Sequence, residues 1–186
     1  MSTETPEKIR LSVNTGGGGG AIMDQGKHAA TIVAIKLVDQ ERFDKTGTEK
    51  RIQFTFRSNK AQADEDGAEV LDSEGEPIFP IISAWPRLTG YDPRPDTKSA
   101  LSILLNQIFG RSLTPSEAQS LDITRLVGIQ GWVVVGSNDQ GKPRFDSWLN
   151  SKKLPVPNPG DFFFEDSPAM GNTPDMEADL EDPFAE

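Results

Sequence analysis

Three rhythms of apolar and polar residues run along the chain, and each predicts its own kind of element. A strict period of two spans Arg51 to Arg57. Ile52, Phe54 and Phe56 fall on one side, and Arg51, Gln53, Thr55 and Arg57 on the other. Successive side chains of a strand point to opposite faces, so this stretch predicts a half-buried strand with a polar, cationic outer face. Lys27 to Phe43 (KHAATIVAIKLVDQERF) is rich in β-branched residues and predicts a long strand before it, with turn chemistry at Asp44–Gly47. Pro77 to Pro86 (PIFPIISAWP) is a third strand candidate, and Pro80 within it suggests an edge or a bulge. The rhythm then changes to helical spacing. Leu101, Leu104, Leu105, Ile108 and Phe109 predict a helix over Thr97–Phe109, capped by Asp96 or Thr97 and ended by Gly110. Thr114-Pro115-Ser116-Glu117 carries the signature of a second helix start, running to about Leu121, with a weaker turn around Ile123–Leu126. Gly128–Ser137 is an apolar strand, Asn138–Gly141 a hairpin turn and Lys142–Ser151 the returning strand.

The order is therefore three strands, a helical segment and two strands. A mainly β fold follows, and the arrangement expected from that order is a five-stranded antiparallel OB-type barrel with its helical segment between strands three and four. An open β-sandwich or another small α+β sheet has the same order and stays open as an alternative. Residues 1–23 read as a flexible leader, because the run Gly16–Gly20 cannot pack a core. No GK[ST] follows that run, so it is not a phosphate-binding loop. The barrel is expected over residues 24–153. From Leu154 a Pro-rich exit (LPVPNPG) leads into residues 154–186, expected to be a disordered acidic tail.

Composition narrows the classes. Without cysteine, disulfides and thiolate metal sites are excluded. That suits a reducing compartment, and a cytoplasmic setting is expected. The N-terminal MSTETPEKIR has no apolar signal region, and no run approaches a membrane span. The net charge of −10 is unevenly placed. Nine of the 29 acids lie in Asp161–Glu186, which has no Lys or Arg, leaving 20 acids against 19 bases in residues 1–160. Seven more acids crowd into Asp64–Glu76, expected to be a loop, so the rest of the body is mildly basic.

An OB-type barrel takes its ligand across strands two and three and the loops joining strands one-two and four-five. Around those positions the sequence offers Lys50, Arg51, Arg57 and Lys60 on strand two, and Arg42, Phe43 and Lys45 at the first hairpin. Trp85, Arg87, Tyr91 and Arg94 follow strand three, and Lys142 and Arg144, with Phe145 as a further candidate, lie at the last hairpin. Cations meet phosphates and rings stack on unpaired bases, so this mixture suits a single nucleic-acid strand. Phe54 and Phe56 are expected in the core, as is Trp132; Trp85 and Trp148 could face either way. The lone His28 and the Asp64–Asp66 run support neither catalysis nor a metal site, and no enzyme activity or cofactor is expected. In the tail, Leu180 and Phe184 are apolar anchors within a run of carboxylates. Such a peptide can dock into a base-rimmed pocket of a partner, fold back over its own barrel, or simply solubilise. Phe162–Phe164 are expected to pack on the barrel or to form a second docking site.

The segments GKHAATIVAI, KRIQFTF, KSALSILLNQIFG and LVGIQGWVVV, with an acidic tail closing in Asp-Pro-Phe, resemble bacterial and bacteriophage single-stranded DNA-binding proteins, phage-encoded members above all. The resemblance implies non-sequence-specific binding of single-stranded DNA in replication, recombination and repair. It also implies recruitment of partner proteins through Asp182, Pro183 and Phe184. Ala185 and Glu186 follow the Phe here, whereas the family's usual tip ends on it. The net charge keeps a second reading open, an acidic protein-interaction adaptor or decoy that binds no nucleic acid. Self-association as a homo-oligomer is left open.

Overall fold

The computed structural model describes residues 21–42 and 46–165. They form β1 (Gly26–Glu41), β2 (Thr48–Ser58), β3 (Ile81–Ala84), α1 (Ala100–Phe109), α2 (Pro115–Ser120), β4 (Gln130–Ser137) and β5 (Pro143–Leu149), with single 3-10 turns at Ile123–Leu126 and Pro159–Phe162. The five strands make one antiparallel sheet in the order β3-β2-β1-β4-β5. β1 is long enough to serve two neighbours. Its first residues pair with β4, from Gly26↔Val135 to Thr31↔Gln130, and the rest pairs with β2, from Ala30↔Ser58 to Glu41↔Thr48. A register shift between Ile32 and Ala34 lies just beyond the handover, where a bulge bends a strand and raises its twist.

The alternation in β2 holds. Ile52, Phe54 and Phe56 are buried, and Phe56 stacks on Phe145 of β5 at 4.9 Å and lies 5.6 Å from Trp148. Ala30, Ile32, Val133 and Val135 fill the same interior. Helix α1 adds Leu101, Leu104, Leu105, Ile108 and Phe109. Burying each Phe from water contributes roughly 1.5–3 kcal/mol, so the Phe54/Phe56 pair is a large part of what holds β2 in place.

Closure of the sheet into a barrel, expected from the strand order, does not occur. β3 and β5 approach each other but remain the two edges of the ladder. One residue on each edge has its outward backbone bonded elsewhere. Ile81 donates its N–H to Ala21 O (3.0 Å) and accepts from Met23 N (3.1 Å). On the other edge Trp148 N donates to the side-chain oxygen of Gln107 on α1 (2.9 Å). β3 has only four residues, and Pro80 and Pro86, which have no N–H to lend, flank it closely.

Helix α1 begins later than the spacing predicted. Ser99 is its N-cap, whereas Thr97 donates to Asp92 Oδ2 (2.9 Å) and accepts from Ser99 N (3.2 Å), which commits it to the preceding loop. Gly110 ends the helix with φ 66°, as its position suggested. The capping box of α2 is complete, with Thr114 N donating to Glu117 Oε2 (2.8 Å) and Glu117 N to Thr114 Oγ1 (3.2 Å).

The tryptophan assignments change. Trp148 is the core residue at 1% exposure, and Trp132, expected inside, lies half-buried on the opposite face of β4 beneath the Lys27 ammonium (4.7 Å). Gly131, Val133 and Val135 point inward instead. Glycine is required at 131 because the Trp148 ring occupies the space of a side chain there.

The acidic stretch after β2 has internal order. Asp64 Oδ1 accepts from the amides of Asp66 and Ala68, and Asp72 Oδ1 from those of Glu74 and Glu76. Asn138 does the same with Gln140 and Lys142 in the β4–β5 turn. All three share an Asp/Asn-x-x-Gly-x pattern, with Gly67, Gly75 and Gly141 at φ 82°, 86° and 73°. Backbone donors from Glu76 and Glu74 hold the Asp72 carboxyl below its ordinary value.

Beyond residue 153 the chain makes packing contacts as far as Phe164. Phe162 meets Phe109 edge-on at 6.0 Å, Phe163 O accepts from Arg125 Nη1 (2.5 Å), and Phe164 N donates to Ser120 O (2.9 Å). Among the described residues no helix is long and apolar enough to cross a membrane.

Gly131→Ala drives a methyl group into the Trp148 ring and to within 2.9 Å of Leu149 O. Such overpacking costs about 1–3 kcal/mol, so the urea midpoint falls; an unchanged midpoint contradicts this packing.

Candidate nucleic-acid interface

The face of β2 opposite the core carries Glu49, Arg51, Gln53, Thr55 and Arg57 at every second position. Arg51 and Arg57 are six residues apart, roughly 20 Å along the strand. Between them Gln53 and Thr55 are only 6% exposed each. They form a hydrogen-bonding floor with Ser83 of β3: Gln53 Nε2 donates to Ser83 Oγ at 3.3 Å, and the Thr55 and Ser83 hydroxyls are 3.5 Å apart.

Aromatic rings stand at both ends of this floor. Beyond one end of β3, Phe79 lies under the Arg57 guanidinium at 5.5 Å and is 38% exposed. Beyond the other, Trp85 is 39% exposed, and its carbonyl accepts from Arg51 Nη1 (3.2 Å). The outer face continues across β1 to β4. Thr31 faces both Arg57 and Gln130, and Ala29, two residues earlier, faces Trp132. One surface thus runs from Lys27 and Trp132, past Arg57 and Phe79, over Thr55, Gln53 and Ser83, to Arg51, Trp85 and Arg87.

The arginines at the Trp85 end share one carboxylate. Arg51 donates from Nε to Glu49 Oε1 (2.6 Å), with its Nη2 bonded to the same oxygen, and Arg87 Nε lies 3.0 Å from Glu49 Oε2. The Arg51 hydrogen bond, reinforced by the charges of Arg51, Arg87 and Arg42, holds the Glu49 carboxyl below its ordinary value despite partial burial. Glu49 is thus an anion seated on the two guanidinium groups at neutral pH.

The other sequence candidates fall in different places. Lys50 alternates to the side of β2 opposite Arg51. Lys60 is exposed beyond the end of β2, and Arg42 is exposed just after β1. Lys142 sits in the β4–β5 turn, and Arg144 pairs with Asp146 (3.1 Å) on β5. Phe145 is half-buried and stacks on the core ring of Phe56. Tyr91 fastens its loop: its hydroxyl donates to Asn106 Oδ1 (2.5 Å) and accepts from Leu113 N (2.6 Å). Arg94 is bonded to Asp92, whose carboxyl it holds far below the ordinary range. Phe43, Lys45, Leu180, Asp182, Pro183 and Phe184 lie outside the described residues.

Lys27, Glu49, Phe79 and Trp132 were missed in the sequence. The signal for Trp132 was its neighbour Gly131, since a glycine facing inward puts the next residue outside. Glu49 was legible as the next outward position in the β2 alternation. No family model and no curated protein matches the chain, so the reading of this surface rests on its own residues.

Tyr91→Phe removes the acceptor of the Leu113 amide and the donor to Asn106, a loss of about 1–3 kcal/mol. Urea unfolding reports it as a lower midpoint at unchanged slope, and a wild-type midpoint contradicts the fastening role.

Proposed function

We propose that this protein binds single-stranded DNA with little sequence preference, along the outer face of β2 and β3 and across β1 to Trp132. The observation that carries this reading is the interleaving of cations and rings around a polar floor: Lys27 with Trp132, Arg57 with Phe79, and Arg51 and Arg87 with Trp85. A single strand presents phosphates and unpaired bases in alternation. Guanidinium groups meet the first, and stacking on rings contributes about 1–3 kcal/mol per base for the second. Hydroxyl and amide groups on the floor add bonds that need no particular base.

The strand order, the long shared β1 and α1 between β3 and β4 support reading the fold as an OB-type barrel left open at its β3–β5 seam. In that reading the ligand lies on the surface such folds use. The acidic C-terminal residues, with Leu180, Asp182, Pro183 and Phe184, recruit replication and recombination proteins, and the protein coats single strands during those processes.

Fluorescence anisotropy with labelled oligo-dT at two salt concentrations tests the proposal. Affinity falls steeply with salt, because each neutralised phosphate of a single strand contributes about 0.7 to the log–log slope. Arg51→Ala with Arg57→Ala weakens binding about ten-fold or more and lowers the slope by roughly 1.4. Wild-type behaviour of that double variant, or no oligo-dT binding at low salt, sinks the proposal.

Glu49→Gln removes the internal anion, so it raises affinity for oligo-dT and steepens the salt dependence. Weaker binding by Glu49→Gln shows instead that the carboxylate is needed to hold the arginines in place.

A chain ending at Glu165 keeps the packed Phe162–Phe164 segment and loses seven of the 29 acids. Its oligo-dT affinity is unchanged or higher. Loss of binding on this truncation contradicts the separation of a binding body from a recruiting tail.

A further inference from the structure

The unlaced seam between β3 and β5 leaves a cleft of about 390 Å³ above α1. Ala84, Trp85, Ile103, Leu104 and Phe145 supply its apolar walls, and Gln107, Arg144 and Asp146 stand among its polar groups. Ile103 is a leucine-sized side chain left 40% exposed on a helix whose neighbours Leu101, Leu104 and Leu105 are all buried. Trp85 and Pro86 also border a second hollow of about 530 Å³, with Arg51, Arg87, Lys98, Thr89 and Asp92 around it. Trp85, Pro86 and Ala100 are common to both. An apolar slot and a cationic hollow on the two sides of one indole match the two halves of a nucleotide.

Resting on the single-strand reading above, we infer that the seam cleft takes one unstacked base of the bound strand, with the adjoining phosphate in the Arg51/Arg87 hollow. Charge supports this occupant. Arg51, Arg87, Lys98 and Arg144 stand there with Glu49, Asp146 and Asp92, and Asp92 is already bonded to Arg94 and Thr97. Continuity supports it as well, because the polar floor of β2–β3 ends at Trp85, where the cleft opens. Gln107 gives its Oε1 to Trp148 N, which leaves its NH2 as a donor at the cleft for a base carbonyl. The base leaves the outer face at Trp85 and turns inward over the exposed edge of α1.

Ile103→Trp in the full chain fills the cleft without changing charge. Two probes of equal length are used, oligo-dT and an oligomer of abasic deoxyribose phosphates. The variant loses about ten-fold in affinity for oligo-dT, within the range of one stacked base, keeps the wild-type salt slope, and binds the abasic oligomer as the wild type does. Wild-type affinity of Ile103→Trp for oligo-dT, while Arg51→Ala with Arg57→Ala still weakens it, overturns the base site and leaves the outer-face reading standing. Equal losses on both probes also overturn it, since the cleft then acts on the backbone grip and not on a base. If the wild-type protein binds neither probe at low salt, the single-strand reading fails and the base site with it.

Discussion

The packing of Phe54 and Phe56 against Phe145 and Trp148 sets the register of β2, and the outer face inherits its chemistry from that register. The side-chain period of a strand is two, so a slip of one residue would bring Arg51, Gln53, Thr55 and Arg57 into the interior. Such a slip would bury unpaired guanidinium groups and expose the rings to water, and both are costly. The interior rings therefore determine where the cations stand. The same logic runs through β4, where Trp148 takes the space beside Gly131 and so sends Trp132 to the surface.

Charge is organised at two scales. Across the chain, acid is concentrated in Asp161–Glu186 and in Asp64–Glu76. Within the second group, Asp64 and Asp72 work as turn residues that accept backbone amides, which gives these carboxylates a structural duty. At close range Glu49 does the opposite and sits among the arginines. It holds Arg51 and Arg87 together, and in the proposed binding a phosphate would take its place between them. Such an exchange of one anion for another weakens net affinity while keeping the guanidinium geometry ordered.

Features that depend on neighbouring residues could be read from the sequence. The β2 alternation, the α2 capping box at Thr114 and Glu117, the Gly110 helix end and the Asn138–Gly141 turn all rest on short-range patterns, and the structure contains each of them. Features that depend on distant partners could not. The run Trp132–Val135 is apolar throughout, so its periodicity does not tell inside from outside; only the arrival of Trp148 from β5 decides. β3 and β5 remain separate edges, and there Ala21 and Met23 bond Ile81 and Gln107 bonds Trp148 N, contacts between residues far apart in sequence. Phe79 stood in a segment read as an edge or bulged strand, and its place on the outer face appears only when Arg57 lies over it. Tyr91 looked like a loop ring, and two hydrogen bonds to residues 15 and 22 positions away make it a fastener.

The three tryptophans give a direct test of the central claim, that the outer face of the sheet holds the nucleic acid. Each indole N–H yields its own signal in a nitrogen–proton correlation spectrum of the full chain. Trp85 and Trp132 lie on the proposed path, while Trp148 is buried with its Nε1–H bonded to Asn150 Oδ1 at 3.0 Å. On titration with oligo-dT, the Trp85 and Trp132 indole signals move together to saturation and the Trp148 signal stays in place. Movement of Trp148 alone, or no movement of Trp85 and Trp132 at saturating oligo-dT, contradicts the account.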